Sequence, residues 1–157
     1  MIFFLEKFPE VLFAAPSGIY RIEINGENLK LFRSDPTLSL DFHKENEWIF
    51  WIDLTDHALY RSDLYNNSMF VTKIAKGVSN GWEPIVIAVD DKHNQIYVID
   101  SLGKKIDTLD LNGNKIKSGI IKSLVAPNDI VLDPAENVIF YGDNEKVQIQ
   151  LFALLIN

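Results

Sequence analysis

The sequence predicts an all-β protein built from a four-strand unit that recurs along the chain. Short segments in which apolar and polar residues alternate follow one another with turn residues between them, which is typical of half-buried strands. No stretch shows the apolar spacing of an amphipathic helix. A repeat supports the prediction: WIFWIDLTDHALYRSDL at 48–64 recurs as QIYVIDSLGKKIDTLDL at 95–111, and its opening half recurs as VIFYGD at 138–143.

The first half of the chain reads as strands joined by tight turns. Two predicted strands, 8–15 and 19–25, flank Pro16-Ser17-Gly18, and the hairpin signal Asn25-Gly26 precedes a strand at 29–32. The next set has predicted strands at 38–42, 47–53, 59–64 and 69–75, with a polar turn from His43 to Asn46.

The second half repeats this order of strands and turns. A third set has predicted strands at 85–90, 95–100, 104–111 and 115–121. A fourth set begins with strands at 129–134 and 138–143 and is expected to stop there, because residues 144–157 do not continue the pattern. We therefore expect one domain over residues 1–157, with a repeat region at about 11–143 and a divergent tail.

Aspartates mark the period of the repeat. Asp53, Asp100 and Asp143 end the second strands and are 47 and 43 residues apart. Such spacing matches four-stranded β-propeller blades, which repeat at about 40–45 residues. The sequence therefore predicts a partial propeller of about three to four blades. A second set of aspartates, at the ends of the first strands, precedes the first set by 12, 10 and 10 residues: Asp41, Asp90 and Asp133.

Aspartate is rare in strands, so its recurrence there predicts a specific hydrogen-bonding role. We expect a ladder that ties each blade to its neighbour, with Asp100 as one such tie. The alternative is that the three carboxylates gather as a metal site or an acid pair. In a propeller, however, equivalent positions are spread around the ring.

Composition excludes several classes of function. The net charge of −7 disfavours nucleic-acid binding and favours a cationic protein partner. Without cysteine the chain has no disulfide, cysteine-zinc site or thiol nucleophile. No Gly-rich phosphate cradle, HExxH motif or supported Ser/His/Asp arrangement is present. We therefore expect no enzyme activity, no cofactor, no metal and no catalytic residue.

Neither end of the sequence predicts a targeting or membrane segment. Charged residues and a proline interrupt the apolar run at the amino terminus, so a signal peptide is not expected: Glu6, Lys7, Pro9 and Glu10. The apolar tail LFALLIN is far shorter than the ~20 residues that span a bilayer.

The second strands carry the motif that points to a family. They end in FWID, YVID and FYGD, so the motif residues are Phe50, Trp51, Asp53, Tyr97, Asp100, Phe140, Tyr141 and Asp143. With the approach segments GWEPIVIAVD and LVAPNDIVLDP, the chain resembles the YWTD β-propeller of the low-density lipoprotein receptor family, in particular the megalin-like receptor-related proteins. The resemblance covers about residues 11–143. No copy is a literal YWTD, because the threonine is replaced each time.

The resemblance implies a fold and a function. Relatives have six blades, so this chain would be an open arc from a truncated product or a partial gene model, and its exposed blade edges would allow self-association. It would bind an extracellular protein or lipoprotein, or release cargo as pH falls, outside the cell or in the endosomal lumen. Any membrane attachment would come from parts absent from this chain. The alternatives are an enzyme on another six-bladed propeller, such as a lactonase or strictosidine-synthase-like hydrolase, and a fragment without independent function.

Several side chains are candidates for these roles. Trp82 and Glu83, in a loop before a strand, are candidate ligand contacts, whereas Trp48 and Trp51 are expected to pack between blades. Loop carboxylates can form an acidic face for cationic cargo: Asp35, Asp56, Asp91 and Glu83. Three histidines in predicted turns are either pH sensors or ordinary solvated side chains: His43, His57 and His93.

Overall fold

The computed structural model describes residues 2–5, 10–37, 39–65, 70–77, 81–144 and 148–153. These residues form strands, turns and extended segments, and none of them is helical. Within this part of the chain there is accordingly no helix with the length and apolar character needed to cross a membrane. Three of the residues that interrupt the amino-terminal apolar run lie outside the described ranges: Glu6, Lys7 and Pro9. Residues 66–69 also lie outside them.

Fifteen described strands form four antiparallel sheets, in which strands adjacent in sequence are hydrogen-bonded neighbours. The first sheet contains β1 (Ile2–Leu5), β2 (Glu10–Ala15), β3 (Gly18–Glu23) and β4 (Lys30–Arg33). The second contains β5 (Leu40–His43), β6 (Trp48–Asp53), β7 (Ala58–Asp63) and β8 (Val71–Lys76). The third contains β9 (Pro84–Asp90), β10 (Gln95–Asp100), β11 (Lys105–Asp110) and β12 (Lys115–Lys122). The fourth contains β13 (Pro127–Asp133), β14 (Val138–Asp143) and β15 (Gln148–Ala153).

The four sheets confirm the predicted all-β partial propeller. The structure differs from the prediction at both ends of the repeat region. Residues 2–5 pair with β2, and residues 148–153 pair with β14 along its whole length. The prediction that the fourth set stops after its second strand was therefore wrong, because strand pairing uses backbone groups and does not require the side-chain motif to continue.

Apolar side chains pack between consecutive sheets. Along β6, Ile49 and Trp51 face the first sheet, whereas Phe50 and Ile52 face the third. This alternation follows from the two-residue period of a strand. The middle strands β6 and β10 are covered on both faces, which explains why their sequences are apolar almost throughout.

Each sheet has an entry end, where its first strand begins, and a far end, where that strand stops. Five hairpin turns of four residues share one backbone form, in which the last residue has φ between 49° and 54°: Glu47, His57, Asn94, Lys104 and Asn137. The residue before each turn caps it. The Asp53 carboxylate accepts the amide of Thr55, for example, and that of Asp90 accepts the amide of His93.

The aspartate ladder predicted between blades is corrected by these bonds. Besides capping its own turn through Gly103, the Asp100 carboxylate accepts the amide of Glu83, in the linker that enters the same sheet, at 3.0 Å. Asp143 likewise accepts the amides of Val125 and Ala126. These carboxylates fix the linker and the turn of their own blade. They are spread over successive sheets and do not gather into one site.

The alignment of the first-strand aspartates is corrected by the strand register. Asp90 pairs with Gln95 and Asp133 with Val138, at the first positions of β10 and β14. In the second sheet the equivalent position belongs to His43, which pairs with Trp48. The spacing of 12 residues instead of 10 is thus a real shift of two positions.

Candidate functional site

The interface between the second and third sheets, called here the central seam, contains three of the candidate residues: His43, Phe50 and Trp82. Its middle is an apolar core containing Phe50, Ile52, Leu59, Ile87, Val89, Ile96 and Val98. Polar and titratable groups lie at its two ends. The central seam is therefore the place where ligand contacts and pH sensing can be examined together.

Side chains of the second sheet pair with the free edge of β9. The Ser39 hydroxyl accepts the Ile87 amide at 2.9 Å, and the Asp41 carboxylate accepts the Val89 amide at 2.6 Å. Because β9 is the innermost strand of its sheet, these alternate amides have no neighbouring strand to bond. Sequence reasoning missed this role, although the alternation of polar residues in SLDFH at 39–43 is its signal.

Burial raises the pKa of Asp41 from 3.8 to about 7. The amides of Val89 and Phe42 act against this rise, because they stabilise the charged form, whereas the nearby charge of Asp91 adds to it. The seam therefore contains a carboxyl group that changes its charge close to neutral pH.

His43 lies at the far end of the seam and not in a solvated turn. It is the last residue of β5 and its side chain is completely buried. Its Nδ1 accepts the amide of Asn46 at 3.3 Å, so Nδ1 carries no proton and Nε2 donates to Asn94 Oδ1 at 3.0 Å. Asp91 Oδ1 is 3.7 Å from Nδ1 and accepts the amide of Lys44.

The three histidines do not form one cluster. His93 lies in the β9–β10 turn at the far end of the third sheet, and its Nδ1 is 2.7 Å from the buried Asp90 carboxylate, on the face of β9 turned to the fourth sheet. His57 ends the β6–β7 turn at the entry end, where its carbonyl accepts the Gly77 amide. The structure thus places His43 and His93 at far ends and His57 at an entry end, and the role of all three as pH sensors stays a prediction.

Trp82 and Glu83 lie at the entry end. Only 8% of Trp82 is exposed, and its ring belongs to the apolar core of the seam. The Glu83 carboxylate pairs with the hydroxyl of Ser101, and the Glu83 carbonyl accepts the Ser101 amide. Both residues hold the linker in place and do not lie in an exposed loop. Their role as ligand contacts stays a prediction.

The predicted acidic face is divided. Asp35, Asp56 and Glu83 lie near the entry ends of their sheets, whereas Asp91 lies at a far end. Asp35 pairs with Arg33 at 3.1 Å, and Asp56 pairs with Lys73 and the Tyr60 hydroxyl. Burial alone raises the pKa of Asp56, but these two partners outweigh it and lower the pKa below its ordinary value. Much of the negative charge is therefore neutralised locally.

Most aromatic residues of the repeat motif are buried. Phe50, Trp51, Tyr97 and Tyr141 are buried between sheets, and 37% of Phe140 is exposed. Trp48 carries a contact that sequence reasoning missed: the Arg61 guanidinium lies 4.0 Å from its ring centroid and donates to the Leu111 carbonyl at 2.8 Å. Arg21 makes the corresponding bond to the Leu64 carbonyl. The shared Tyr-Arg pairs at 20–21 and 60–61 are the signal for this contact between sheets.

Among the residues with described side chains, no group of three or more histidines, aspartates or glutamates is arranged to hold a metal ion. Buried Asp107 is the most heavily bonded carboxylate of the third sheet. Burial raises its pKa, but bonds from Lys115, the Gly119 amide, Lys105 and Ser118 outweigh this and keep the pKa below its ordinary value.

Comparisons with known proteins agree with this architecture. No family model matches the chain. It is 24% identical over 139 residues to mouse (Mus musculus) low-density lipoprotein receptor-related protein 5, a match that covers 86% of this chain and 8% of the relative. A chain in the crystal structure of a nidogen/laminin complex superposes with a TM-score of 0.76 and 21% identity, covering 90% of this chain and 56% of that one.

A protein described as a gluconolactonase superposes with a TM-score of 0.79 and 12% identity, covering 99% of this chain and 59% of that one. At such identities the two structural likenesses show the fold alone. The chain thus spans little more than half of these solved chains and a small part of its curated relative. Together, the repeat, the sheets and the sequence similarity support a YWTD-type β-propeller similar to that of the low-density lipoprotein receptor family.

Proposed function

We propose that the chain is a non-catalytic, protein-binding segment of an extracellular receptor propeller. Its similarity to a receptor-related protein along most of its length supports this proposal. The likeness to a chain from a nidogen/laminin complex adds a propeller of the same shape that was crystallised with a protein partner. Under this proposal the chain works outside the cell or in the endosomal lumen.

The observation that carries the proposal is the way the carboxylates are used. Those at the strand ends cap turns or fix linkers, as Asp53, Asp100 and Asp143 do. Catalysis by a propeller needs carboxylates that are free to hold a metal or move a proton at the substrate. Groups committed to the fold are better suited to support a binding surface.

We further propose that binding weakens as the pH falls, through the far end of the central seam. Histidine changes its charge between about pH 5 and 8. Protonation of His43 at Nδ1 would remove the acceptor that holds the Asn46 amide, next to Asp91 and the Lys44 amide. The surface formed by residues 44–47 and 91–94 would then change its shape.

The test immobilises the full chain and measures binding of purified laminin by surface plasmon resonance at pH 7.4 and pH 5.5. Other proteins would be captured from conditioned medium on the immobilised chain and identified by mass spectrometry. Each would then be purified and measured in the same way. We expect saturable binding at neutral pH and faster dissociation at acidic pH. A chain that binds none of these proteins contradicts the binding role. An unchanged pH response in the triple variant H43N/H57N/H93N would contradict the sensing role alone.

A lactonase is the second candidate, because the superposition on the gluconolactonase-like protein covers nearly the whole chain. Hydrolysis of glucono-δ-lactone, followed by pH-stat titration with and without added calcium, separates the two functions. The binding proposal expects the buffer rate under both conditions. Turnover above that rate, accompanied by a rise in melting temperature on calcium addition, would favour the enzyme.

A further inference from the structure

A cavity of about 300 Å³ lies at the outer rim of the central seam. It is lined by Ala75, Lys76, Trp82, Leu109, Gly113 and Lys115. Its walls come from β8, the linker before β9, β11, and β12 together with the turn that leads into it. The volume is at the lower end of the range for small-molecule sites, so a small ligand is the right size for it.

The shape of this cavity depends on a close approach of two outer elements. Gly113 has φ of +85°, and a β-carbon built on it would lie 2.1 Å from the Ile74 carbonyl oxygen. Only glycine allows the β11–β12 turn to come this close to β8. The cavity is therefore held by a fixed contact between sheets.

The polar groups at the cavity are donors and cations. Lys76 is exposed and forms no ion pair within the described part of the chain. Lys115 Nζ lies 5.4 Å from the Trp82 ring centroid and 2.6 Å from Asp107 Oδ2. Asp107 also pairs with Lys105, so the local carboxylates do not neutralise all of the lysine charge. In a chain whose net charge is −7, this rim is a local region of positive charge.

Trp82 forms one wall of the cavity. Its indole Nε1 is buried and has no hydrogen-bond partner among the described residues. Because this N–H is not exposed, it serves as a reporter of the cavity wall and not as a ligand group. The ring of the same residue and the side chains of Ala75 and Leu109 supply apolar surface.

We propose that this cavity binds a carboxylate carried on a short apolar body. The apolar body would pack against Trp82 and Leu109, and the carboxylate would be held by the Lys76 and Lys115 ammonium groups. The ligand is either a free organic acid or the side chain of a glutamate in a peptide. This site goes beyond the protein-binding role proposed above and does not depend on it.

The test follows the indole N–H resonances of the ¹⁵N-labelled full chain by NMR, with the Trp82 signal assigned from the W82F variant. Phenylacetate is the charged probe, and phenylacetamide is its neutral counterpart. We expect phenylacetate to shift the Trp82 signal with saturation, with a dissociation constant on the order of millimolar. The amide should bind about tenfold more weakly or not at all.

Lysine variants test the charges directly. K76M and K115M should each weaken phenylacetate binding by about tenfold, whereas K117M should leave it unchanged. Lys117 is a matched control, because it is an exposed lysine on β12 that does not line the cavity. A shift that does not saturate, equal shifts by acid and amide, or wild-type affinity in both K76M and K115M would overturn the proposal. The peptide acetyl-Ala-Glu-Ala-amide distinguishes the two kinds of ligand. Saturable binding of this peptide identifies a glutamate side chain as the ligand. If phenylacetate binds and the peptide does not, the ligand is a free acid.

Discussion

At position 43 a histidine caps the turn of the second sheet, as Asp90 and Asp133 do in the third and fourth sheets. Asp90 caps its turn through the His93 amide, and His43 caps its own turn through the Asn46 amide. An aspartate at position 43 would place another negative charge beside Asp91 and near Asp41 in the same seam. A neutral imidazole accepts the same hydrogen bond without that repulsion. The exchange of residue type thus follows from the crowding of carboxylates at the far end.

Replacement of His43 tests this capping role. In H43L the Asn46 amide loses its acceptor, so we expect a loss of about 2–3 kcal/mol in the free energy of unfolding. H43N restores an acceptor oxygen and should lose about half as much. Urea denaturation at pH 8 measures the stability, and hydrogen exchange of the Asn46 amide reports the bond itself. Equal protection of this amide in H43L and H43N would show that the imidazole is not the cap.

Asp41 predicts an unusual pH dependence of stability. Its pKa is about 7 in the folded chain and 3.8 as the ordinary value, so between these values the folded state binds more protons than the unfolded state. The Asp41 contribution to the free energy of unfolding therefore falls as the pH rises through this window, by up to about 1.4 kcal/mol per pH unit. D41N has no such group and should gain stability relative to the wild type as the pH increases.

Urea denaturation of the wild type and D41N at pH 4.5, 6 and 8 measures this difference. The matched control is D129N, because Asp129 is exposed and, among the described residues, its carboxylate accepts the neighbouring amide of Ile130. A stability difference between D41N and the wild type that does not change with pH would contradict the raised pKa of Asp41.

At the scale of the elements, two Asn-Gly turns offer a direct test of how the sheets contact each other. Gly26 and Gly113 have φ of +84° and +85°, in equivalent turns of the first and third sheets. A β-carbon on Gly26 would meet nothing within 4 Å, whereas one on Gly113 would clash with the Ile74 carbonyl. G26A should cost only the strain of a left-handed alanine, about 1–2 kcal/mol. G113A should cost about 2 kcal/mol more, because β8 and the turn must separate to make room for the methyl group.

The comparison of G26A and G113A uses urea denaturation at one pH. Equal losses of stability in the two variants would mean that the β11–β12 turn moves away from β8 without cost. That result would also weaken the proposed carboxylate site, whose wall this turn forms.

The strands were largely predictable from sequence, whereas the pairing between them was only partly so. β-branched and aromatic residues between turn signals specify strands locally, and the repeat specifies the sheets. The register of β5 was not predictable from the aspartate pattern. Asp41 stands two positions before the place that Asp90 and Asp133 occupy in their sheets, and His43 occupies that place. The burial of His43 and Trp82 was missed for a related reason. Both stand in polar segments, and only the neighbouring sheet covers them.

At the scale of the whole molecule, apolar side chains lie on the two end faces of the arc. In the fourth sheet, 53% of Val131 and 37% of Phe140 are exposed. The equivalent residues of the third sheet, Ala88 and Tyr97, are buried against the fourth sheet. The side of the first sheet that faces away from the second carries Phe13 stacked on Tyr20. Each end face is therefore one half of the kind of interface that joins the sheets within the arc.

We expect the chain on its own to self-associate through these end faces. The fourth sheet of one copy presents the same type of surface that the first sheet of another copy needs, so the contact is head-to-tail. Sedimentation velocity over 1–100 μM, a range chosen around typical affinities of standard-sized interfaces, should show assembly in the wild type. V131K/F140K should raise the dissociation constant by about tenfold or more, because lysine charges would be buried unpaired. I116K is the control, since Ile116 is exposed on the outer strand β12, away from both end faces. Monomeric wild type at all concentrations, or assembly unchanged in V131K/F140K, would contradict the prediction.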